Sequence, residues 1–115
     1  MSVKTKRIYE PVSAADGYRI LIDRLWPRGI KKEAAHIDKW FKDIAPSTEL
    51  RKWFNHEPEK WPLFMIKYHA EINGSAALEE LRADIFKYPT ITLLFAAKDE
   101  QHNHALALML IINSN

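Results

Sequence analysis

The sequence predicts an α/β fold: a small single-domain sandwich over residues 1–115, with a mostly parallel sheet of three to four strands flanked by helices. Three observations predict it. Residues 90–97, Thr-Ile-Thr-Leu-Leu-Phe-Ala-Ala, form a near-continuous apolar run that stops at Lys98 and Asp99, the pattern of a strand covered on both faces. Residues 19–22 form a second apolar run with β-branched content, too short for an independent helix. Between the two lie segments whose apolar residues recur at helical spacing, and strands followed by helices with an interior-looking last strand favour a parallel sheet.

In chain order, residues 6–9 read as a first short strand centred on Arg7-Ile8-Tyr9 and ended by Pro11. Residues 13–17 make a connection with one helical turn, and strand two covers residues 18–23. Trp26-Pro27-Arg28-Gly29 then breaks regular structure, because Pro27 lacks an amide donor and Gly29 tolerates positive φ. Residues 31–36 suit a short helix. Residues 37–44 stay open between helix and strand: Ile37, Trp40, Phe41 and Ile44 fit helical spacing, yet the segment is rich in bulky and β-branched residues and stops at Ala45-Pro46. Ser47 or Thr48 is a suitable N-cap for a short amphipathic helix carrying Leu50, Trp53 and Phe54. Asn55-His56-Glu57-Pro58 ends it, and Trp61, Phe64, Met65 and Tyr68 mark a second helix. Asn73-Gly74-Ser75 punctuates before a third helix with Leu78, Leu81 and Ile85, closed by Tyr88-Pro89. Residues 103–112 form a last helix, apolar nearly all round, which is either deeply buried or partly an oligomer interface.

Bulk properties narrow the function. An apolar fraction of 47% and a charged fraction of 28% are those of an ordinary globular domain. The absence of cysteine excludes disulfides, thiolate nucleophiles and thiolate metal sites. No signal-peptide pattern or membrane-length apolar run is present, so the expected location is cytoplasmic, with no membrane partner. Net charge is only +2, but residues 1–32 hold eight Lys/Arg against three acids, a balance of +5. Such a basic third suits an anionic ligand or forms a solvated basic face.

The chemistry gathers in two loops. Asp23, Arg24, Trp26 and Arg28 follow strand two; Lys98, Asp99, His102 and Asn103 separate the last strand from the last helix. Ligands of open α/β sheets sit beyond the carboxyl ends of the strands, so in a parallel sheet both loops fall on one edge. Guanidinium forks pair bidentately with phosphate or carboxylate; the alternative for Asp23 is a structural ion pair locking its loop. Trp26 either stacks on a planar ligand or packs beneath the loop. Lys98 and the helix start would favour an anion, while Asp99 and Asn103 also serve as plain caps. Asp23 and His102 are the candidates for proton transfer.

Metal and nucleotide-loop motifs are weak. His102 and His104 stand two apart, diverging by about 200° on a helix, and His36, His56 and His69 show no ligand spacing with them. With only Gly17, Gly29 and Gly74, no Walker-type or GxGxxG loop exists. A Ser47, His102 and Asp23 triad lacks a Gly-x-Ser-x-Gly elbow. No metal and no cofactor is expected.

Three stretches carry a resemblance: Asp-Gly-Tyr-Arg-Ile-Leu-Ile-Asp-Arg-Leu-Trp-Pro-Arg-Gly at 16–29, Ala-Pro-Ser-Thr-Glu-Leu-Arg-Lys-Trp-Phe at 45–54, and Thr-Leu-Leu-Phe-Ala-Ala-Lys-Asp at 92–99 with His-Asn-His-Ala at 102–105. Together they resemble the YeaO-like group of bacterial proteins within domain-of-unknown-function family 488, over nearly the whole chain. The resemblance implies an α/β fold in a bacterial cytoplasmic protein, favours strand for part of residues 37–44, and carries no activity with it. Phe95 stands where the family usually has Tyr, and Asn55 where it usually has Gly. Longer members of the wider family carry Cys-His-Arg after the last strand; the similar positions here are Asn103, His104 and Ala105, so thiol chemistry has no counterpart.

Two functions of different class follow. The first is a small enzyme or ligand-binding domain for a phosphorylated or nucleotide-like anionic metabolite, held by Arg24, Arg28 and Lys98 with Trp26, Asp99 and Asn103 beside them. The second is a nucleic-acid-binding or regulatory protein using the basic N-terminal third, although no helix reads as a basic recognition helix. The apolar last helix is also compatible with a homodimer, although the sequence does not fix the oligomeric state.

Overall fold

The computed structural model describes residues 2–113. Its centre is a four-stranded, all-parallel sheet in the order β1-β4-β2-β3, built from β1 (Ser2–Arg7), β2 (Tyr18–Leu21), β3 (Lys39–Trp40) and β4 (Thr90–Phe95). Five helices accompany it: α1 (Lys32–Ala35), α2 (Thr48–Phe54), α3 (Trp61–Ile72), α4 (Ala76–Lys87) and α5 (His104–Asn113). The expected α/β sandwich and parallel sheet are therefore observed. β4 is buried along Ile91–Phe95, in keeping with an apolar strand enclosed between layers.

One face of the sheet carries the main core, where Ile20, Ile22, Leu93 and Phe95 pack with Phe54, Phe64, Tyr68, Leu81, Leu108 and their neighbours. The other face carries a smaller cluster of Ile8, Leu21 and Leu94, roofed by Trp26, Ile30, Ile37 and Trp40. This division resolves residues 37–44. Ile37 and Trp40 go to the small cluster and Phe41 and Ile44 to the main core, so a helical stripe is not what the spacing encodes. Lys39 and Trp40 pair with Ile20 and Leu21, and a 3-10 turn follows at Lys42–Ile44.

The first strand lies earlier than residues 6–9. Ser2–Arg7 runs in register with Thr90–Phe95, and its lysines are tolerated because each ammonium finds a partner. The Lys4 ammonium donates to the Ala15 carbonyl at 2.8 Å and that of Lys6 to Asp16 at 3.0 Å. The strand ends where the Glu10 carboxylate accepts the Arg7 amide. Asp16 is buried between Lys6 and the buried Arg19 guanidinium, and Ser13 and Asp16 form a capping box around the turn Ala14–Asp16. Gly17 follows with φ +66°, and a Cβ there would lie 2.4 Å from the Thr90 carbonyl oxygen, so only glycine lets β2 enter the sheet beside β4.

The helical half follows its sequence signals. Ser47 and Ser75 cap α2 and α4 by accepting the Leu50 and Leu78 amides. Asn55 closes α2 in the left-handed region at φ 48°, a conformation that Asn tolerates better than most residues. α5 buries Ala105, Ala107, Leu108 and Ile111; Leu110 is the large apolar residue it leaves exposed. Among the described residues no helix is long and apolar enough to cross a membrane.

Candidate functional site

β2 and β4 are neighbours, so the loops leaving their carboxyl ends lie side by side, as the parallel sheet requires. Both strands stop earlier than their apolar runs, β2 at Leu21 and β4 at Phe95, because side chains take over the hydrogen bonding. The Ile22 amide still donates to the Leu94 carbonyl at 3.1 Å. Next, the Asp23 carboxylate accepts the Ala96 amide at 2.9 Å in place of a backbone carbonyl. From the other side, Arg7 donates to the Ala97 and Ala96 carbonyls at 2.9 and 3.3 Å. The sheet end is sealed by one acid and one guanidinium.

A cleft of about 660 Å³ opens beyond this seal. Residues of both loops and of the helices beside them line it: Asp23, Leu25, Trp26, Pro27 and Arg28 from the first loop; Ala96, Ala97, His102 and Asn103 from the second; His104 at the start of α5; Arg51 and Phe54 from α2, His56 from the turn after it and Phe64 from α3; and Tyr9 and Pro46. The size is that of a small-molecule site.

One Asp–His pair lines it, and a second joins the lining His102 to Asp99, which is not among the lining residues. His104 Nε2 lies 2.9 Å from Asp23 Oδ1 and 3.2 Å from the Ile22 carbonyl, both acceptors, so that nitrogen carries the proton. His102 Nδ1 lies 3.0 Å from Asp99 Oδ2. Asp99 Oδ1 in turn accepts the Gln101 and His102 amides. The Gln101 amide is the strongest influence on the Asp99 carboxyl, and with the His102 ring and amide it outweighs burial to hold the group below the usual carboxylate range. Asp23 and His102 both line the cleft, but each is bound to a different partner. Ser47, which caps α2, has Glu71 as its side-chain neighbour and belongs to no triad.

The remaining expected site residues divide. Arg28 lines the cleft, with its backbone carbonyl held by the Tyr9 hydroxyl at 2.9 Å. Trp26 borders the cleft but mainly packs: its indole N–H donates to the Ile30 carbonyl at 2.6 Å, and its ring meets Trp40 edge-on. Asn103 is buried and caps α5, accepting the Leu106 amide at 2.8 Å while donating to the Asp99 carbonyl at 3.0 Å. Arg24 turns to the Pro46 and Ala45 carbonyls, tying the loop to the start of α2. Lys98 is exposed and is not among the residues lining the cleft.

Sequence reasoning missed His104 as the partner of Asp23, and also Arg51, His56 and the aromatic wall of Phe54 and Phe64. Their signal was the helix periodicity, which reports a core-facing stripe without saying that one end of it reaches a cleft. Among the described residues no group of three or more His, Cys, Asp or Glu is placed to hold a metal.

The basic N-terminal third is largely drawn inward. Lys4, Lys6, Arg7, Arg19 and Arg24 all hydrogen-bond to carbonyls or carboxylates.

A family model described as the inactive DUF488-N3 subclade matches residues 2–115. The chain is 48% identical over 108 residues to the uncharacterised protein YeaO of Escherichia coli K12, an alignment covering 94% of each. It is 40% identical over 111 residues to the uncharacterised proteins Mb3100c of Mycobacterium bovis and Rv3073c of Mycobacterium tuberculosis, covering 96% of this chain and 93% of each of theirs. No solved structure matches it.

Proposed function

Since the chain belongs to the DUF488 family, in the subclade described as inactive, we propose that it is a ligand-binding domain whose cleft takes a small anionic metabolite of the phosphorylated or nucleotide-like class. The carrying observation is that Arg28 and Arg51, from the two walls of the cleft, have guanidinium groups with no hydrogen-bonding or ionic partner among the described residues, while the carboxylates of Asp23 and Asp99 are already engaged. Two guanidinium groups without partners are left for an oxyanion, and guanidinium forks match oxyanions. The cytoplasm is the expected location.

Thermal stability of the purified protein against a panel of nucleotides and phosphorylated metabolites tests this. A ligand at 100 times its Kd stabilises by about 2.7 kcal/mol. A shift present in the parent and lost in Arg28→Ala supports the site; no shift with any member of the panel counts against it.

A proton-transfer reading rests on the Asp23–His104 pair and on His102, whose Nε2 stays free in the cleft. It requires that a ligand found by the panel be consumed on incubation, with loss of turnover in His102→Gln and Asp23→Asn. The nucleic-acid alternative requires affinity that falls steeply with salt, and the inward pairing of five N-terminal cations works against it.

A further inference from the structure

We infer that His102 is a nucleophile whose Nε2 accepts a phosphoryl group from a metabolite bound in the cleft. The inference rests on the anion-binding reading and narrows its ligand class to metabolites whose phosphoryl group sits on a good leaving group, as in an acyl phosphate. It starts from how the ring is held. Nδ1 lies 3.0 Å from Asp99 Oδ2, and Trp61 meets the ring edge-on with centroids 5.5 Å apart. Asp99 is itself fixed, because its Oδ1 accepts the Gln101 and His102 amides and its carbonyl accepts the Asn103 side-chain amide. The Gln101 amide above all holds the Asp99 carboxyl below its ordinary range. An ionised carboxylate only accepts, so Nδ1 carries a proton in either charge state of the ring, and the neutral ring has its lone pair on Nε2.

That nitrogen is reachable. The His102 side chain is 29% exposed and lines the cleft. Among the described residues no buried side-chain nitrogen or oxygen lacks a hydrogen-bond partner; His102 Nε2 has none, so it is open to solvent.

No other group in the cleft is as well prepared. The chain has no cysteine, and among the described residues no Ser, Thr or Lys lines the cleft. The Tyr9 hydroxyl donates to the Arg28 carbonyl, and the Asp23 carboxylate serves His104 and the Ala96 amide. His104 points Nε2 at two acceptors at once. A nucleophile whose partner is in turn oriented by a third group is the arrangement that activates. A neutral imidazole also avoids the repulsion that a carboxylate would meet from a phosphoryl oxyanion, and Arg28 and Arg51 offer their forks to its oxygens. In the step, the Nε2 lone pair forms the N–P bond while the bond from phosphorus to the leaving group breaks, and the leaving group departs with that electron pair. The ring keeps its Nδ1 proton, and Asp99 opposes the positive charge the ring gains.

Incubation of the full chain with acetyl phosphate and, separately, with phosphoramidate tests this, read by intact mass, peptide mapping and phosphorus NMR. The expected result is a gain of one acid-labile phosphoryl group on His102 Nε2, formed at least about tenfold faster than on His36, His56 or His69. His102→Gln, with its thermal melt as the folding control, should abolish the gain. Asp99→Asn should slow it and let Nδ1 react as well. No adduct, an adduct spread evenly over the histidines, or one on Nδ1 of the parent His102 overturns the inference. An Arg28-dependent thermal shift with phosphorylated metabolites would then leave the anion reading standing without it. An Nε2 adduct that forms as fast when Arg28→Ala and Arg51→Ala are combined supports the nucleophile and counts against the anion site.

Discussion

Asp23 and His104 meet at 2.9 Å where the carboxyl end of β2 faces the first residue of α5, and the same carboxylate accepts the Ala96 amide at 2.9 Å. One side chain thereby joins the loop after β2, the end of β4 and the last helix. Asp23→Ala is expected to leave the Ala96 amide without an acceptor and the His104 ring with only the Ile22 carbonyl, costing about 1–3 kcal/mol. Urea unfolding of the variant measures this, and Asp23→Asn, which keeps an oxygen for the amide, should recover part of the loss.

The Asp16 cluster makes a larger prediction. Arg19 is buried, with Asp16 as its acidic partner and the His36 and Ala35 carbonyls as further acceptors. Asp16→Ala would strand that charge, and breaking a buried pair by removing one member typically costs about 3–5 kcal/mol. Chemical denaturation should place this variant well below Asp23→Ala.

Acid should act through the same residue. Burial pushes the Asp16 carboxyl up, but the Ser13 amide, Lys6 and Arg19 more than offset it and hold the group below its ordinary value. A carboxylate lowered on folding contributes stability above its unfolded pKa of about 3.9, lost as pH falls through the folded value. Asp99 acts in the same direction. Stability measured against pH should therefore fall on the acid side, and Asp16→Asn should flatten that slope. Lys39 behaves oppositely: Asp84 and Glu80 outweigh burial and raise it, so its contribution holds at neutrality and is lost only in strong alkali, as pH rises through the folded value.

Two glycines with positive φ should respond differently to alanine. Gly29 has φ +81° with open space around a would-be Cβ, so Gly29→Ala pays mainly backbone strain of about 1–2 kcal/mol. Gly17→Ala adds overlap with the Thr90 carbonyl and should cost distinctly more. Thermal melts of the two variants side by side check the order.

Much of this was legible in the sequence for a physical reason. Residues 90–97 could be placed as an interior strand because continuous apolar character over so short a run needs two covered faces, and the convergence of two charged loops followed from parallel strands alone. The edges were less legible. β1 was displaced because Lys4 and Lys6 look unsuited to a strand until their partners, the Ala15 carbonyl and Asp16, are known. Residues 37–44 split between two cores, which mimics a helical stripe. Within the site, a string of residues cannot tell that Asp23 takes His104 while His102 takes Asp99, since both pairings depend on how α5 begins. Arg24 illustrates the same limit: it stands beside Arg28 in sequence, but backbone carbonyls of Ala45 and Pro46 claim it.

The most direct measurement is amide NMR of the full chain during titration with a nucleoside monophosphate, repeated with Arg28→Ala and Arg51→Ala combined. The account predicts shifts concentrated at Arg28, Arg51, Ala96, Ala97 and residues 102–104, saturating with ligand and abolished in the double variant. Shifts confined to Lys31, Lys32 and the outer face of β1, or persisting unchanged without the two arginines, would contradict it.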